Sequence, residues 1–285
     1  MQFNNIDLQS QILTNIEKQG YVEATEIQEK AIPLLLKLEA DFIGQAQTGT
    51  GKTAAFLLPL LERINKNDKD IKALILSPTR ELANQIYEEF LKLSVNLNIN
   101  AEVVFGGASY ERQIRGIKRN RPQVIIGTPG RVIDLMNKKI INFSKTEYLI
   151  LDEADEMLNM GFLDDVKLLL EEIPNERKIW MFSATMPRAI SDLVKKEFNQ
   201  PEIIKIEKKA MTCSTVEQSC YLVQRRYGIE ALRRIIDTEG DVYAIIFCKT
   251  KVETADLANE LTSKGYKADM LHGDMGQPQR DSAMA

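Results

Sequence analysis

Histidine is nearly missing from this chain: His272 is the only one in 285 residues. A Ser-His-Asp catalytic centre and a histidine-built zinc site are thereby close to excluded. Cysteine is scarce as well. Cys213, Cys220 and Cys248 are odd in number and have no close metal-ligand spacing, which suits a reducing, cytoplasmic setting rather than a disulfide framework. No stretch approaches eighteen uninterrupted apolar residues, so no membrane-spanning helix is expected. The opening MQFNNIDLQS does not have the basic-then-apolar build of a secretory signal. Positive charge is not in excess either. The net charge is −4 and the pI about 5.4, the wrong sign for gripping nucleic acid through bulk electrostatics, so any such surface must be a local patch.

What is present is a globular composition, 44% hydrophobic and 27% charged, in a chain longer than one usual domain. Strand-like runs are KALILS (72–77), EVVF (102–105), QVIIGT (123–128), YLILD (148–152), KIWMFSA (178–184) and EIIKI (202–206). Between them lie amphipathic stretches such as the one carrying Leu82, Ile86, Phe90 and Leu93 at helical spacing. Near-continuous apolar strands alternating with helices predict an α/β fold, a parallel sheet covered on both faces. EKKAMTCST (207–215) breaks this pattern and marks a boundary. Beyond it the alternation resumes, with strands expected at CYLV, VYAIIFC and KADML and helices over 228–237 and 252–264.

The least ordinary residues fall where strands end. AQTGTGKT (46–53) follows apolar DFIG and precedes the helix-like TAAFLLPLLERI. Gly49 and Gly51 let the backbone curl so that successive N–H groups face an anion, reinforced by the helix N-terminus behind them. Lys52 supplies a charge for β- and γ-phosphates, and the Thr53 hydroxyl suits a magnesium ligand. YLILDEADEM (148–157) then crowds Asp152, Glu153, Asp155 and Glu156 against the end of a buried strand. A second strand ending in a carboxylate beside a phosphate loop is the place for a metal ligand, and Asp152 occupies it. Glu153, one residue on, is placed to orient or deprotonate an attacking water. Glu156 is explained by the helix dipole alone.

Asp152-Glu153-Ala154-Asp155 spells DEAD, and the chain resembles the DEAD-box ATP-dependent RNA helicases from about Phe3 to Arg280. AQTGTGKT resembles motif I of that family, PTRELA (78–83) motif Ia, Gly106-Gly107 the paired-glycine motif, TPGR (128–131) motif Ib, SAT (183–185) motif III, IIFC (245–248) motif IV, and HGDMGQPQR (272–280) the segment after it. The resemblance implies a RecA-like P-loop NTPase domain over 1–207, a linker over 208–215, and the first part of a second RecA-like domain over 216–285, with ATP, Mg2+ and RNA as ligands.

By the same resemblance Gln47, Thr48, Gly49, Thr50, Gly51, Lys52 and Thr53 bind ATP, and Asp152, Glu153 and Lys52 carry the chemistry. GYVEATEIQ (20–28) resembles the adenine-recognising Q motif. Gln28 would read the base, since an amide offers the donor and acceptor that adenine matches and guanine does not, and Tyr21 would stack on the ring. Ala24 and Glu26 stand where the family commonly has proline. Ser183 and Thr185 would couple ATP state to RNA by hydrogen bonds to Asp155. Pro78, Thr79, Arg80, Gly106, Gly107, Thr128, Gly130, Arg131, Thr250, Gln277 and Arg280 would contact the RNA backbone without reading sequence. The basic run ERQIRGIKRNR (111–121) reads as a solvated helix face, and Trp180 as core.

The family's two further motifs, which resemble ATDVAARGID and HRIGRTGR, do not occur in these residues. The expectation is therefore an RNA helicase whose 285 residues alone bind Mg·ATP but do not unwind RNA. The alternative is a non-catalytic module that binds ATP and RNA.

Overall fold

Residues 1–206, 216–240 and 242–284 are described by the computed structural model of the chain. Two compact units, Met1–Lys209 and Ala210–Ala285, partition it. In the first, the elements run α1 (Ser10–Lys18), α2 (Glu26–Leu35), β1 (Phe42–Gln45), α3 (Lys52–Arg63), β2 (Ala73–Leu76), α4 (Arg80–Leu93), β3 (Ala101–Val104), α5 (Tyr110–Asn120), β4 (Val124–Gly127), α6 (Pro129–Asn137), β5 (Tyr148–Asp152), α7 (Ala154–Asn159), α8 (Leu163–Glu172), β6 (Lys178–Ser183), α9 (Arg188–Glu197) and β7 (Glu202–Lys205).

The seven strands form one sheet in the order β3-β4-β2-β5-β6-β1-β7, and every pairing is parallel. Side chains alternate between its faces as a strand's period of two requires. Phe42, Ala73, Ile75, Val124, Ile126, Tyr148, Ile150, Trp180 and Phe182 join one buried cluster with α1 to α4. Their neighbours Ile43, Leu74, Leu76, Ile125, Leu149, Leu151, Ile179 and Met181 join the other, under α6 to α9. Both faces are thus dry, and the interior strands read as unbroken apolar runs for that reason. Trp180 is fully buried, as its apolar run suggested.

The strand order sorts the motifs. The phosphate loop leaves β1, the DEAD segment leaves β5 and SAT closes β6, and these three strands are neighbours in the order β5-β6-β1. PTRELA follows β2, Gly106-Gly107 follows β3 and TPGR follows β4, and those are neighbours in the order β3-β4-β2. In a parallel sheet every strand's C-terminal end lies on one edge, so six loops share that edge in two adjacent sets.

The second unit holds α10 (Gly228–Glu239), α11 (Lys251–Ser263) and α12 (Gln277–Met284). Both expected helices are present, but the expected strands are not. Among the described residues CYLV, VYAIIFC and KADML make no ladder. A strand exists only through hydrogen bonds to a partner, and no described segment of this unit provides them. Apolar side chains consequently face solvent: Leu222 is 98% exposed, Ile245 81% and Phe247 93%. The linker expected over 208–215 lies outside the described residues.

Candidate functional site

The loop from Ala46 to Gly51 joins β1 to α3, and its geometry depends on glycine at one position above all. Gly51 has φ +89°, and a Cβ there would lie 2.4 Å from Gln28 Nε2. Both the left-handed backbone and the close approach exclude a side chain. Gln47, Thr48 and Gly49 are exposed along the loop, and Thr50 Oγ1 donates to Gln47 O at 2.7 Å, bracing the turn. Thr53 sits in the first turn of α3, partly exposed.

Lys52 opens α3 and is 5% exposed, yet its Nζ has no hydrogen-bond partner among the described residues. Burying an ammonium without a partner is costly, so this group fits an anion in the adjoining loop. Its neighbour is Asp152, 2% exposed at the end of β5. Burial pushes the Asp152 carboxyl up to about 6, against the attraction of Lys52, with the charges of Glu153 and Asp155 pushing the same way as burial. A lone buried carboxylate next to a phosphate cradle matches magnesium, which keeps most of its waters and takes one or two carboxylates. The donor set therefore fits Mg·phosphate.

Glu153 has φ 53° and ψ 51°, a left-handed conformation that costs an ordinary residue energy. Its N–H donates to Asp152 Oδ1 at 3.1 Å, and its Oε1 accepts from Thr48 Oγ1 at 3.3 Å. The strained backbone thus turns the Glu153 carboxylate toward the phosphate loop while Asp152 stays at the strand end. The third carboxylate is tied elsewhere. Asp155 Oδ2 accepts from the N–H of Thr185 at 2.9 Å and from its hydroxyl at 2.8 Å, while the Asp155 N–H donates to Ser183 Oγ at 3.2 Å. Ser183 Oγ in turn donates to Thr185 O at 2.7 Å, so Ser183 meets Asp155 as an acceptor from its backbone. Partial burial pulls the Asp155 carboxyl upward, but the two bonds it accepts from Thr185 lead the opposing effects, and it is held below the usual range.

Gln28 is 1% exposed on α2. Its Oε1 accepts from Thr25 N–H at 2.9 Å, completing a capping box, and its Nε2 donates to Gly51 O at 3.0 Å. In this conformation the amide joins the helix cap to the phosphate loop. Tyr21 is partly buried, edge-on to Phe3 with centroids 5.9 Å apart, and its hydroxyl donates to Glu89 on α4.

The second set of loops is equally connected. Thr79 caps α4, accepting from Leu82 N–H at 3.2 Å, after buried Pro78. Arg80 Nη1 donates to Gly106 O at 3.3 Å, and the guanidinium lies 6.0 Å from the Phe105 ring centroid. Gly106 and Gly107 are exposed, and Gly107 has φ +82°. Thr128 precedes α6 and its N–H donates to Val104 O at 3.1 Å; Gly130 is exposed. Arg131 Nη1 donates to Gln113 Oε1 at 2.8 Å, over the Tyr110 ring at 5.3 Å. The basic side chains of α5, Arg112, Arg115, Lys118 and Arg119, are exposed, as a solvated face should be.

In the second unit Thr250 caps α11, accepting from Glu253 N–H at 3.1 Å, and Arg280 Nη2 donates to the carbonyls of His272 and Gly273 at 3.3 and 3.1 Å. The Gln277 side chain lies outside the described residues. Sequence reasoning did not single out Gln113, Glu89 or Thr25.

Comparison with known proteins shows the family. Residues 25–193 match the DEAD/DEAH box helicase family, and residues 227–285 match the helicase conserved C-terminal domain. The ATP-dependent RNA helicase CshA of Listeria monocytogenes is 44% identical over 282 residues, covering 99% of this chain and 54% of that protein. The DEAD-box ATP-dependent RNA helicase CshA of Bacillus subtilis is 42% identical, covering 99% of this chain and 57% of that protein. The chain thus spans little more than half the length of these two relatives. A crystal structure of a DEAD box protein from the hyperthermophile Methanococcus jannaschii is 41% identical and superposes with a TM-score of 0.70, covering 100% of this chain and 76% of that one.

Proposed function

The chain belongs to the DEAD/DEAH box helicase family, and we propose on that basis that it serves an ATP-dependent RNA helicase, binding Mg·ATP at β5-β6-β1 and RNA backbone at β3-β4-β2. The observation that carries the reading is the buried, unpartnered ammonium of Lys52 beside the buried carboxylate of Asp152.

Lys52 and the N–H groups of residues 47–53 hold the β- and γ-phosphates. Asp152 and Thr53 would hold magnesium, which supplies charge neutralisation at the phosphate oxygens. Glu153, turned toward the loop by its left-handed backbone and steadied by Thr48, accepts the proton of the attacking water. Asp155, Ser183 and Thr185 form the bridge through which the nucleotide state reaches β6 and the loops beyond it. Gln28 and Tyr21 face the adenine end. Arg80 and Arg131, with the turns at Gly106-Gly107 and Thr128–Gly130, hold phosphates and sugars without reading bases; in the second unit, taken by itself, Thr250, Gln277 and Arg280 are the residues assigned to RNA backbone. The protein works in the cytoplasm.

Residues 1–285 alone are expected to bind Mg·ATP, turn it over slowly and leave duplex RNA paired. Lys52 is the one cationic side chain of the loop 46–53, and a second cation on the γ-phosphate is typically worth about 10³ to 10⁵ in turnover.

The test is phosphate release by the full-length gene product with and without single-stranded RNA or DNA. RNA-stimulated release that disappears with Lys52→Ala supports an ATPase. Tight binding of both ligands with no release would make it a non-catalytic module, and equal stimulation by DNA would remove the RNA assignment.

A further inference from the structure

Gln113 is the one polar member of the basic run on α5 that is buried, 6% exposed between Arg112 and Ile114. Its two amide ends are used on different loops. Nε2 donates to Phe105 O at 3.0 Å, the carbonyl just before Gly106-Gly107. Oε1 accepts from Arg131 Nη1 at 2.8 Å in the TPGR segment. Phe105 also presents its ring to the Arg80 guanidinium, and Arg80 donates to Gly106 O. One buried amide therefore joins the turn after β3 to the arginine at the start of α6, with the arginine of α4 resting on the same turn.

The chemistry of the amide matters more than its size. Arg131 makes no ion pair among the described residues, and its buried Nε has no partner. A neutral acceptor at 2.8 Å aims the guanidinium while leaving its full positive charge for an incoming anion. A carboxylate in the same place would form a charge-assisted pair, consume that charge, and lose the donor that holds Phe105 O. Tyr110 and Lys138 complete the enclosure: the Arg131 guanidinium lies 5.3 Å from the Tyr110 ring centroid and Lys138 Nζ 4.2 Å from it. Both cations lie against the Tyr110 ring, and no ion pair among the described residues neutralises Arg131.

We propose that Gln113 is a positioning residue for the RNA-backbone grip, fixing the Gly106-Gly107 turn relative to Arg131 and keeping Arg131 charged toward a phosphate. This rests on the reading of β3-β4-β2 as the RNA-binding edge.

The experiment is equilibrium binding of a fluorescein-labelled single-stranded oligouridine to the full-length gene product over a range of salt concentrations, for wild type, Gln113→Glu and Gln113→Met. Gln113→Glu is expected to weaken RNA about tenfold and to lower the slope of log affinity against log salt by about one, the signature of one lost phosphate contact. Gln113→Met conserves volume and leaves Arg131 charged but unaimed, so affinity falls severalfold while the slope stays that of wild type. A wild-type salt slope in Gln113→Glu overturns the proposal, and so does wild-type affinity in Gln113→Met. Failure of the underlying reading looks different: wild type itself shows no salt-dependent RNA binding, and the role of Gln113 falls with it.

Discussion

Asp155 and Thr185 are joined twice: one carboxylate oxygen, Oδ2, accepts both the backbone N–H and the hydroxyl of Thr185, at 2.9 and 2.8 Å. Asp155 lies in the first turn of α7, after β5, and Thr185 in the loop after β6, so the pair is a strap between two adjacent strand ends. Thr185→Val keeps the shape and the N–H bond and removes only the hydroxyl. A hydrogen bond to a charge contributes about 1.5–3 kcal/mol, and part exposure of Asp155 puts this one near the lower end. The sign follows from the carboxyl being held below its usual range. That stabilisation is present above the unfolded carboxylate's pKa of about 4 and fades as pH falls through the lower folded value. Urea unfolding at several pH values is expected to separate the variant from wild type most at neutral pH and least in acid. A gap that widens toward low pH contradicts the assignment.

Gln28 presents a choice that titration resolves. Its amide is bonded to Thr25 N–H and Gly51 O, so it holds the phosphate loop, while the proposed function also asks it to read adenine. Gln28→Ala is expected to weaken ATP by roughly 1–3 kcal/mol, the worth of a bidentate base contact, and GTP by much less. Parallel titrations with both nucleotides decide. Equal losses mean that the amide only braces Gly51.

Glu153→Gln removes the proton acceptor and keeps the volume, the Thr48 contact and the left-handed turn. Nucleotide and RNA binding are expected to persist while turnover drops about 10² to 10⁴-fold. Single-turnover phosphate release in the full-length gene product measures it. Near-normal turnover would place the base on another residue.

Much of the first unit was legible because its signals are local. The interior strands β2, β4, β5 and β6 announce themselves as apolar runs, and AQTGTGKT and DEAD carry their spacing within a few residues. The bonds between motifs are not local, and there the residue types alone were ambiguous. Gln113 occupies a stripe position with Tyr110, Ile114 and Ile117 at three and four spacing, and a glutamine on an otherwise apolar stripe was the available signal. Gln28 offered an amide but not the direction it faces, which Gly51 sets by approaching it. In the second unit CYLV, VYAIIFC and KADML have strand-like composition, but strand formation depends on a partner that composition cannot supply.

The adjacent glycines 106 and 107 supply a matched pair of variants for the proposed RNA edge. At Gly106 an added Cβ meets nothing within 4 Å. At Gly107 the backbone is left-handed, φ +82°, and the Cβ would stand 2.5 Å from Arg80 Nη1. The arginine tip is flexible, so Gly107→Ala is expected to displace it rather than to unfold the unit; the cost is the left-handed backbone, about 1–2 kcal/mol. Losing the perch on Gly106 O frees Arg80 from the position in which the proposed function has it meet RNA. RNA affinity should then fall severalfold in Gly107→Ala, with a salt slope reduced by about one, and stay near wild type in Gly106→Ala. Fluorescence anisotropy across a salt series reads both quantities in both variants. Equal losses in the two alanine variants would show that the turn itself touches RNA and that Arg80 is not what Gly107 protects.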